Sequence, residues 1–297
     1  MATIQATASG PGDFRPLDVP ALERMAAELR CDIIRMIHAA GEGHPGGSLS
    51  ATDIVAALYF RIMNLDPEQP NWPDRDRFIM SKGHACPVWY SALAERGYLC
   101  DCDMTSLRCL NSIFQGHPDM NKTCGLDMSA GSLGQGLSAG IGMALAARVH
   151  KRNYRVWVMI GDGETQEGSI WEAAMSAAAF KIDTLTAVLD RNRIQNDDFI
   201  DNIMPIEPVV DKWRAFGWHV IEIDGHDMAQ VVEALEKAPT VKGKPTLILA
   251  NTVKGKGVSF MENNPVWHGR APTLEEAQQA LREIQTAAGL EVNDVIN

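Results

Sequence analysis

From Arg155 to Ala250, short apolar runs and helical segments take turns, and that alternation restricts the fold more than any other feature of the chain. Arg155-Val-Trp-Val-Met-Ile160, Leu185-Thr-Ala-Val-Leu189, His219-Val-Ile-Glu-Ile223 and Thr246-Leu-Ile-Leu-Ala250 read as strands, with helices over 169–181, 207–216 and 227–238 between them. Strands that are apolar along their length have no face to turn to water. They belong in a parallel sheet flanked by helices on both faces, so the fold class is α/β.

Upstream, Leu22, Met25, Ala26, Leu29, Ile33, Met36, Ile37 and Ala40 recur at helical spacing, and Gly41 closes that helix. A second helix is expected from Ser50-Ala-Thr-Asp53, which looks like a capping box with Asp in place of Glu, to about Met63. Arg77–Met80 reads as a strand, and 84–96 and 104–111 as helices. Residues 134–152 read as a helix of small residues suited to close packing, with the Gly41–Gly47 segment a second candidate for close contact with a partner. A loop over 253–271 precedes a last helix capped at Thr273-Leu-Glu-Glu276 and running to about Leu290. Residues 1–15 are expected to form a mobile arm and 16–297 a single domain, since no repeat or linker divides them.

Composition narrows the function by exclusion. Lys and Arg number 27 against 38 Asp and Glu, a net charge of −11, which argues against nucleic acid or an anionic membrane held by bulk electrostatics. A small anion held by local N–H groups and a cation stays open. No secretory signal and no apolar run of about 18 residues is present, so a soluble protein is expected. The six cysteines, in a long chain with no export signal, then suggest reduced thiols and a cytoplasmic location. Cys100-Asp-Cys102 lacks the second pair a zinc site needs.

Ligands of open α/β sheets bind beyond the carboxyl ends of the strands. After Ile160 comes Gly161-Asp-Gly-Glu-Thr-Gln-Glu167, and after Leu189 comes Asp190-Arg-Asn192-Arg-Ile194. One β-turn-α-β unit separates the two, so Asp162 and Asn192 emerge on one edge of adjacent or near-adjacent strands. A carboxylate and an amide oxygen are too few for a calcium cage. They suit a Mg²⁺ completed by water and a phosphorylated molecule.

Here the chain resembles a known family. Gly161-Asp162-Gly163, followed after 28 intervening positions by Asn192, is similar to the signature of thiamine diphosphate enzymes. The resemblance implies a metal, Mg²⁺ or in its place Ca²⁺ or Mn²⁺, held by Asp162, Asn192 and the backbone carbonyl of Ile194. Gly43-His44-Pro45-Gly46-Gly47, Ser81-Lys-Gly-His84, Gly116-His117-Pro118 and Trp267-His268-Gly269 resemble the histidine segments of transketolases. Ala130-Gly131-Ser132-Leu133-Gly134-Gln135-Gly136 is similar to their Thr-Gly-Pro-Leu-Gly-Gln-Gly loop, departing at Ala130 and Ser132.

The resemblance spans about residues 20–270. It implies His44, His84, His117 and His268 as contacts to the two-carbon unit, the reacting carbonyl or the cofactor phosphates. It also implies Gly131, Ser132, Leu133, Gly161, Asp162, Gly163, Glu164 and Asn192 around the cofactor, and Glu167 in a carboxylate network across a dimer. A first-turn glutamate favoured by the helix dipole is the alternative for Glu167. His226, in Asp224-Gly-His-Asp227, reads as part of a turn into a helix capped by Asp227. Gly255-Lys256-Gly257 does not satisfy the Walker A spacing, and Gly131-x-x-Gly134-x-Gly136 reverses the dinucleotide fingerprint.

The implied reaction is ketol transfer between sugars or sugar phosphates, with thiamine diphosphate carrying the electrons. In that family a separate domain binds the cofactor's pyrimidine, and no stretch of this chain resembles it. The expectation is therefore the N-terminal subunit of a split transketolase, working with a C-terminal subunit in an α₂β₂ heterotetramer. The metal motif alone also fits an E1 α-like or deoxyxylulose phosphate synthase-like subunit, or a non-catalytic thiamine diphosphate-binding protein.

Overall fold

The computed structural model describes residues 15–99, 102–293 and 296. The expected arm falls almost wholly outside the described residues, as do Cys100 and Asp101. Helix α1 (Val19–Ala40) starts where Asp18 accepts the Ala21 N–H at 3.0 Å and ends at Gly41, whose φ of +67° is the left-handed cap that glycine accepts without strain. Then come α2 (Pro45–Ala57), β1 (Arg77–Met80), α3 (Cys86–Glu95), α4 (Gln135–Val149), β2 (Val156–Gly161), α5 (Gly168–Ala179) and β3 (Leu185–Arg191). A small hairpin of β4 (Ile194–Gln195) and β5 (Asp198–Phe199) leads into α6 (Ile200–Ile203). The chain continues through α7 (Val209–Ala215), β6 (His219–Asp224), α8 (Met228–Lys237), β7 (Thr246–Asn251) and α9 (Leu274–Ala287). A full capping box between Thr273 and Glu276 opens α9.

Five strands form one parallel sheet in the order β1-β2-β3-β7-β6. Alternate side chains of each strand enter two separate cores. Phe78, Met80, Trp157, Met159, Val188 and Ile248 pack with α1, α2, α3, α8 and α9. Ile79, Val158, Ile160, Ala187, Leu189 and Leu249 pack with α4, α5 and α7. Every strand expected from the sequence is present, and both faces are covered.

Two helices differ from expectation, each for a visible reason. Helix α2 begins at Pro45, so Ser50 and Asp53 lie inside it and cap nothing. Ser50 instead donates to Asp190, at 2.6 Å, and Asp53 is bound by Arg30. The expected helix over 104–111 is only a 3₁₀ turn at Met104–Ser106, because Leu107 is extended and Arg108 and Asn111 each take a φ of +64°. Two of the small residues of α4 serve this chain's own packing, whereas Gly142 is exposed with open space around it. A Cβ on Gly136 would lie 2.4 Å from Ser81 Oγ, and one on Gly140 would lie 2.6 Å from Val158, so glycine is what lets α4 lie on the sheet. Gly46 likewise presses on Trp267 and Lys254 within the chain.

Candidate active site

The carboxyl ends of β1, β2, β3 and β7 converge, and the segments leaving them carry buried polar residues, among them Ser81, Lys82, Asp162, Asn192 and Lys254. Gly161 pairs with Asp190 across β2 and β3, which sets Asp162 and Asn192 on one edge of adjacent strands, as expected. Asp162 is buried and accepts from the N–H groups of Gly163, at 2.8 Å, and Arg193. The Asn192 side-chain oxygen accepts from Ile194 N–H at 3.2 Å, and its amide donates to Asp190 at 3.2 Å. The Ile194 carbonyl accepts from Lys254 Nζ at 2.9 Å.

The four histidines named from the sequence meet above this floor. Ring centroids separate His44 from His84 by 5.1 Å, from His268 by 5.3 Å and from His117 by 6.4 Å, and His84 from His268 by 5.1 Å. His117 is exposed at the rim; the others are partly buried. Burial lowers all four, His84 well below its ordinary value, and holds His44 at about 4 and His268 at about 3. Nearby cations add to the effect, chiefly Arg108 at His44 and His117 and Lys254 at His268. The rings are thus neutral at pH 7, each offering one N–H and one lone pair.

The Gly-rich loop closes one wall. Glu164, buried, accepts from Ser81 Oγ, from Gly134 N–H at 2.8 Å and from Gly161 N–H at 3.0 Å, which ties that loop to the ends of β1 and β2. A Cβ on Gly83 would lie 2.9 Å from the backbone of Ala130 and Gly131, so the loop lies directly on the turn bearing His84. Gly131 and Ser132 are exposed, Leu133 is partly buried, and Gly163 packs against Gln195. Glu167 is exposed at the N-cap of α5, where its side chain makes no capping bond.

Three residues at the centre were missed by sequence reasoning. Lys82 is buried against Asp190 and also donates to the Gly47 carbonyl at 2.7 Å. Lys254 is buried too and reaches His268 Nδ1 at 2.6 Å as well as Ile194. Asp190 accepts from Lys82, Ser50 and Thr252, and Lys82 is the largest influence holding its carboxyl low against burial. Lysine is ordinarily a surface residue, and the only available signal was position: Lys82 after β1, Asp190 in β3 and Lys254 after β7 all stand at the sheet's carboxyl edge.

The residues present fit a divalent cation and a phosphorylated cofactor. Burial, then the neighbouring charge of Asp190, pushes the Asp162 carboxyl upward, and its bonded donors are backbone N–H groups alone. A buried carboxylate beside an amide oxygen and a carbonyl is a hard, oxygen-only donor set for a cation that brings further ligands with it. Among the described residues no cluster of three or more His, Cys, Asp or Glu stands ready to hold a metal by itself. His44 Nδ1 is buried without a hydrogen-bond partner, a polar atom waiting for one. A cleft of about 520 Å³ lies elsewhere, between Asp74, Asp76, Arg152 and Arg155 at the opposite end of the sheet, where Arg152 and Asp74 pair.

Comparison with known proteins shows the family. A family model described as "Transketolase, thiamine diphosphate binding domain" matches residues 22–294. The chain is 46% identical over 264 residues to a 6-deoxy-6-sulfo-D-fructose transketolase subunit of Clostridium sp. (strain MSTE9), covering 89% of this chain and 96% of that one. It is 40% identical over 265 residues to human transketolase, covering 89% of this chain but 42% of that one. Among solved structures, transketolase from Campylobacter jejuni superposes with a TM-score of 0.86 at 30% identity, over 95% of this chain and 45% of the other. The chain therefore spans under half the length of those two transketolases and nearly all of the Clostridium subunit.

Proposed function

The chain belongs to the transketolase family as its thiamine diphosphate-binding domain, and from that premise we propose that it supplies the diphosphate-binding half of a two-carbon ketol transferase completed by a second polypeptide. The observation that carries the reading is the gathering of four neutral imidazoles beside a set of oxygen donors at the carboxyl edge of one sheet. Thiamine diphosphate, when bound, supplies the electron sink for breaking and making the bond next to a ketose carbonyl. Asp162, Asn192 and the Ile194 carbonyl hold its metal, Mg²⁺ or an equivalent divalent ion. Lys82 and Lys254 set a positive field that would meet the phosphates and that adds to burial in keeping His84 and His268 neutral. Gly131, Ser132, Leu133, Gly161, Gly163 and Glu164 shape the wall, whose glycines let backbone approach the ligand.

His84 and His268 stand nearest the buried lysines and face the cofactor. His44 and His117, toward the rim, orient the hydroxyl and carbonyl oxygens of a sugar or sugar phosphate and move protons to and from them. Glu167, exposed at the start of α5, joins a carboxylate network with a neighbouring subunit. Residues 16–297 act as one diphosphate-binding domain in a cytoplasmic α₂β₂ assembly, the pyrimidine site coming from a C-terminal-type transketolase subunit. The near-complete coverage of a relative named as a subunit supports this reading. The test is ketol transfer by the purified chain with and without a co-expressed pyrimidine-domain partner, using a panel of ketose phosphates and sulfonated ketoses as donors. Turnover only with the partner, on at least one donor, is expected; full activity from the chain alone overturns the split site.

A further inference from the structure

His226 lies outside the histidine cluster, yet its ring joins two parts of the molecule that the site depends on. The turn Asp224-Gly-His-Asp227 does lead into α8 as the sequence suggests, with Asp227 capping that helix. The imidazole turns away from the turn. Its Nε2 accepts the Val253 N–H at 2.8 Å, and its Nδ1 lies 2.7 Å from Asp53 Oδ2. A backbone N–H can only donate, so Nε2 carries the lone pair, and the ring proton sits on Nδ1 and is donated to Asp53. Asp53 is in turn gripped by Arg30 through two bonds of 3.0 and 2.6 Å. Burial pushes the Asp53 carboxyl upward, but Arg30 and His226 outweigh it and hold it at about 2.

Val253 directly precedes Lys254, just past the end of β7. On the other side of the lysine, Gly255 donates to the Gly46 carbonyl at 3.1 Å, and the Lys254 carbonyl accepts from Asn263 at 2.9 Å. A Cβ on Gly255 would lie 2.3 Å from the Met261 carbonyl oxygen, so this loop has no slack on that side. The lysine backbone is therefore held from α2 at Gly255 and from β6 at Val253, and its ammonium reaches Ile194 and His268 between those supports.

We propose that His226 is a positioning residue for the cofactor site: the chain Arg30–Asp53–His226–Val253 fixes the backbone from which Lys254 reaches the Ile194 carbonyl and His268. The proposal rests on the cofactor reading given above. Its own content is the coupling of a helix-pair carboxylate to a loop of the sheet edge through one imidazole tautomer.

Two substitutions separate positioning from mere packing. In His226→Asn the side-chain amide stands where Nδ1 did and still donates to Asp53, but Val253 N–H loses its acceptor. In His226→Gln the side-chain oxygen reaches the former Nε2 position and the acceptor is restored. Amide exchange on the full chain is expected to show Val253 protection falling at least about tenfold in the Asn variant and returning in the Gln variant. Titration with thiamine diphosphate and Mg²⁺ is expected to show about 10- to 100-fold weaker binding in Asn, recovered in Gln, and in the assembled enzyme a raised cofactor KM with kcat largely kept. Equal cofactor affinity in both variants, or Val253 protection unchanged in Asn, overturns the proposal. If the variants do not fold, the wild-type ring decides: nitrogen shifts of His226 showing the proton on Nε2 at pH 7 overturn it, and a proton on Nδ1 supports it. Should wild-type protein fail to bind thiamine diphosphate, the cofactor reading falls, while exchange at Val253 and the tautomer still test the hydrogen-bond chain.

Discussion

Replacing Glu164 by Gln should loosen the site at its base. The carboxylate is 2% exposed and takes three donors: Ser81 Oγ and Gly134 N–H on one oxygen, Gly161 N–H on the other. An amide that keeps its oxygen toward Ser81 and Gly134 must aim its NH₂ at the Gly161 N–H, so one charge-assisted bond is lost and two donors face each other. Losing such a bond costs about 1.5–3 kcal/mol. Burial already pushes this carboxyl upward, so removing the charge returns part of that cost. The net expectation is a loss of about 2 kcal/mol, roughly 30-fold in the ratio of folded to unfolded chain. Urea unfolding at pH 7.5 reads the loss, and amide exchange locates it, at Gly161 and not at Gly134. Wild-type stability with Gly161 still protected would mean the three bonds do not hold these segments together.

Asp162→Ala and Asn192→Ala should abolish Mg²⁺-dependent binding of thiamine diphosphate in calorimetric titration while circular dichroism stays that of the wild type; unchanged affinity in both removes the metal assignment. His84→Ala or His117→Ala should slow ketol transfer by the reconstituted enzyme about 10²- to 10⁴-fold where the ring moves a proton, and by less where it only orients a hydroxyl. Asp32, partly buried near Glu95 and bonded to Ser91 at 2.9 Å, is raised to about 7 by loss of solvation and then by the Glu95 charge. The folded chain therefore keeps a proton that the unfolded chain has released, and stability falls as pH rises from about 4 to about 7. Asp32→Asn should flatten this slope in unfolding experiments and stabilise the protein at pH 8 by about 1–2 kcal/mol; an unchanged slope refutes the assignment.

The sheet was legible because β1, β2, β3 and β7 are buried on both faces and so carry an apolar run that no surface segment imitates. Helix ends were legible where a residue can serve only as a cap, as at Gly41, Asp227 and Thr273. They were misread where a polar residue does something else. Ser50 and Asp53 have the chemistry of a cap, but they turn inward to Asp190 and to Arg30 and His226, partners 140, 23 and 173 positions away. No local window distinguishes a hydroxyl that caps from one that binds a distant carboxylate.

The same limit explains which half of the site was readable. His44, His84, His117 and His268 stand in Gly-bearing segments, so their surroundings mark them even at wide spacing. Lys82 and Lys254 carry no such mark, yet they set the electrostatics of the rest. Lys82 holds Asp190 ionised, Asp190 in turn raises Asp162, and Lys254 at His268 Nδ1 helps keep that imidazole neutral. A site so arranged has its two cations committed to a carboxylate and to a carbonyl with an imidazole, and one carboxylate left with only backbone donors. A divalent cation arriving at Asp162 would hold that carboxylate ionised in the interior, where burial otherwise favours its proton, so metal binding should release protons as it proceeds. The histidines were legible as a motif, whereas their neutrality, imposed first by burial and reinforced by Arg108, Lys82 and Lys254, and the carboxylate left at Asp162 with backbone donors alone, emerge only from the folded sheet edge.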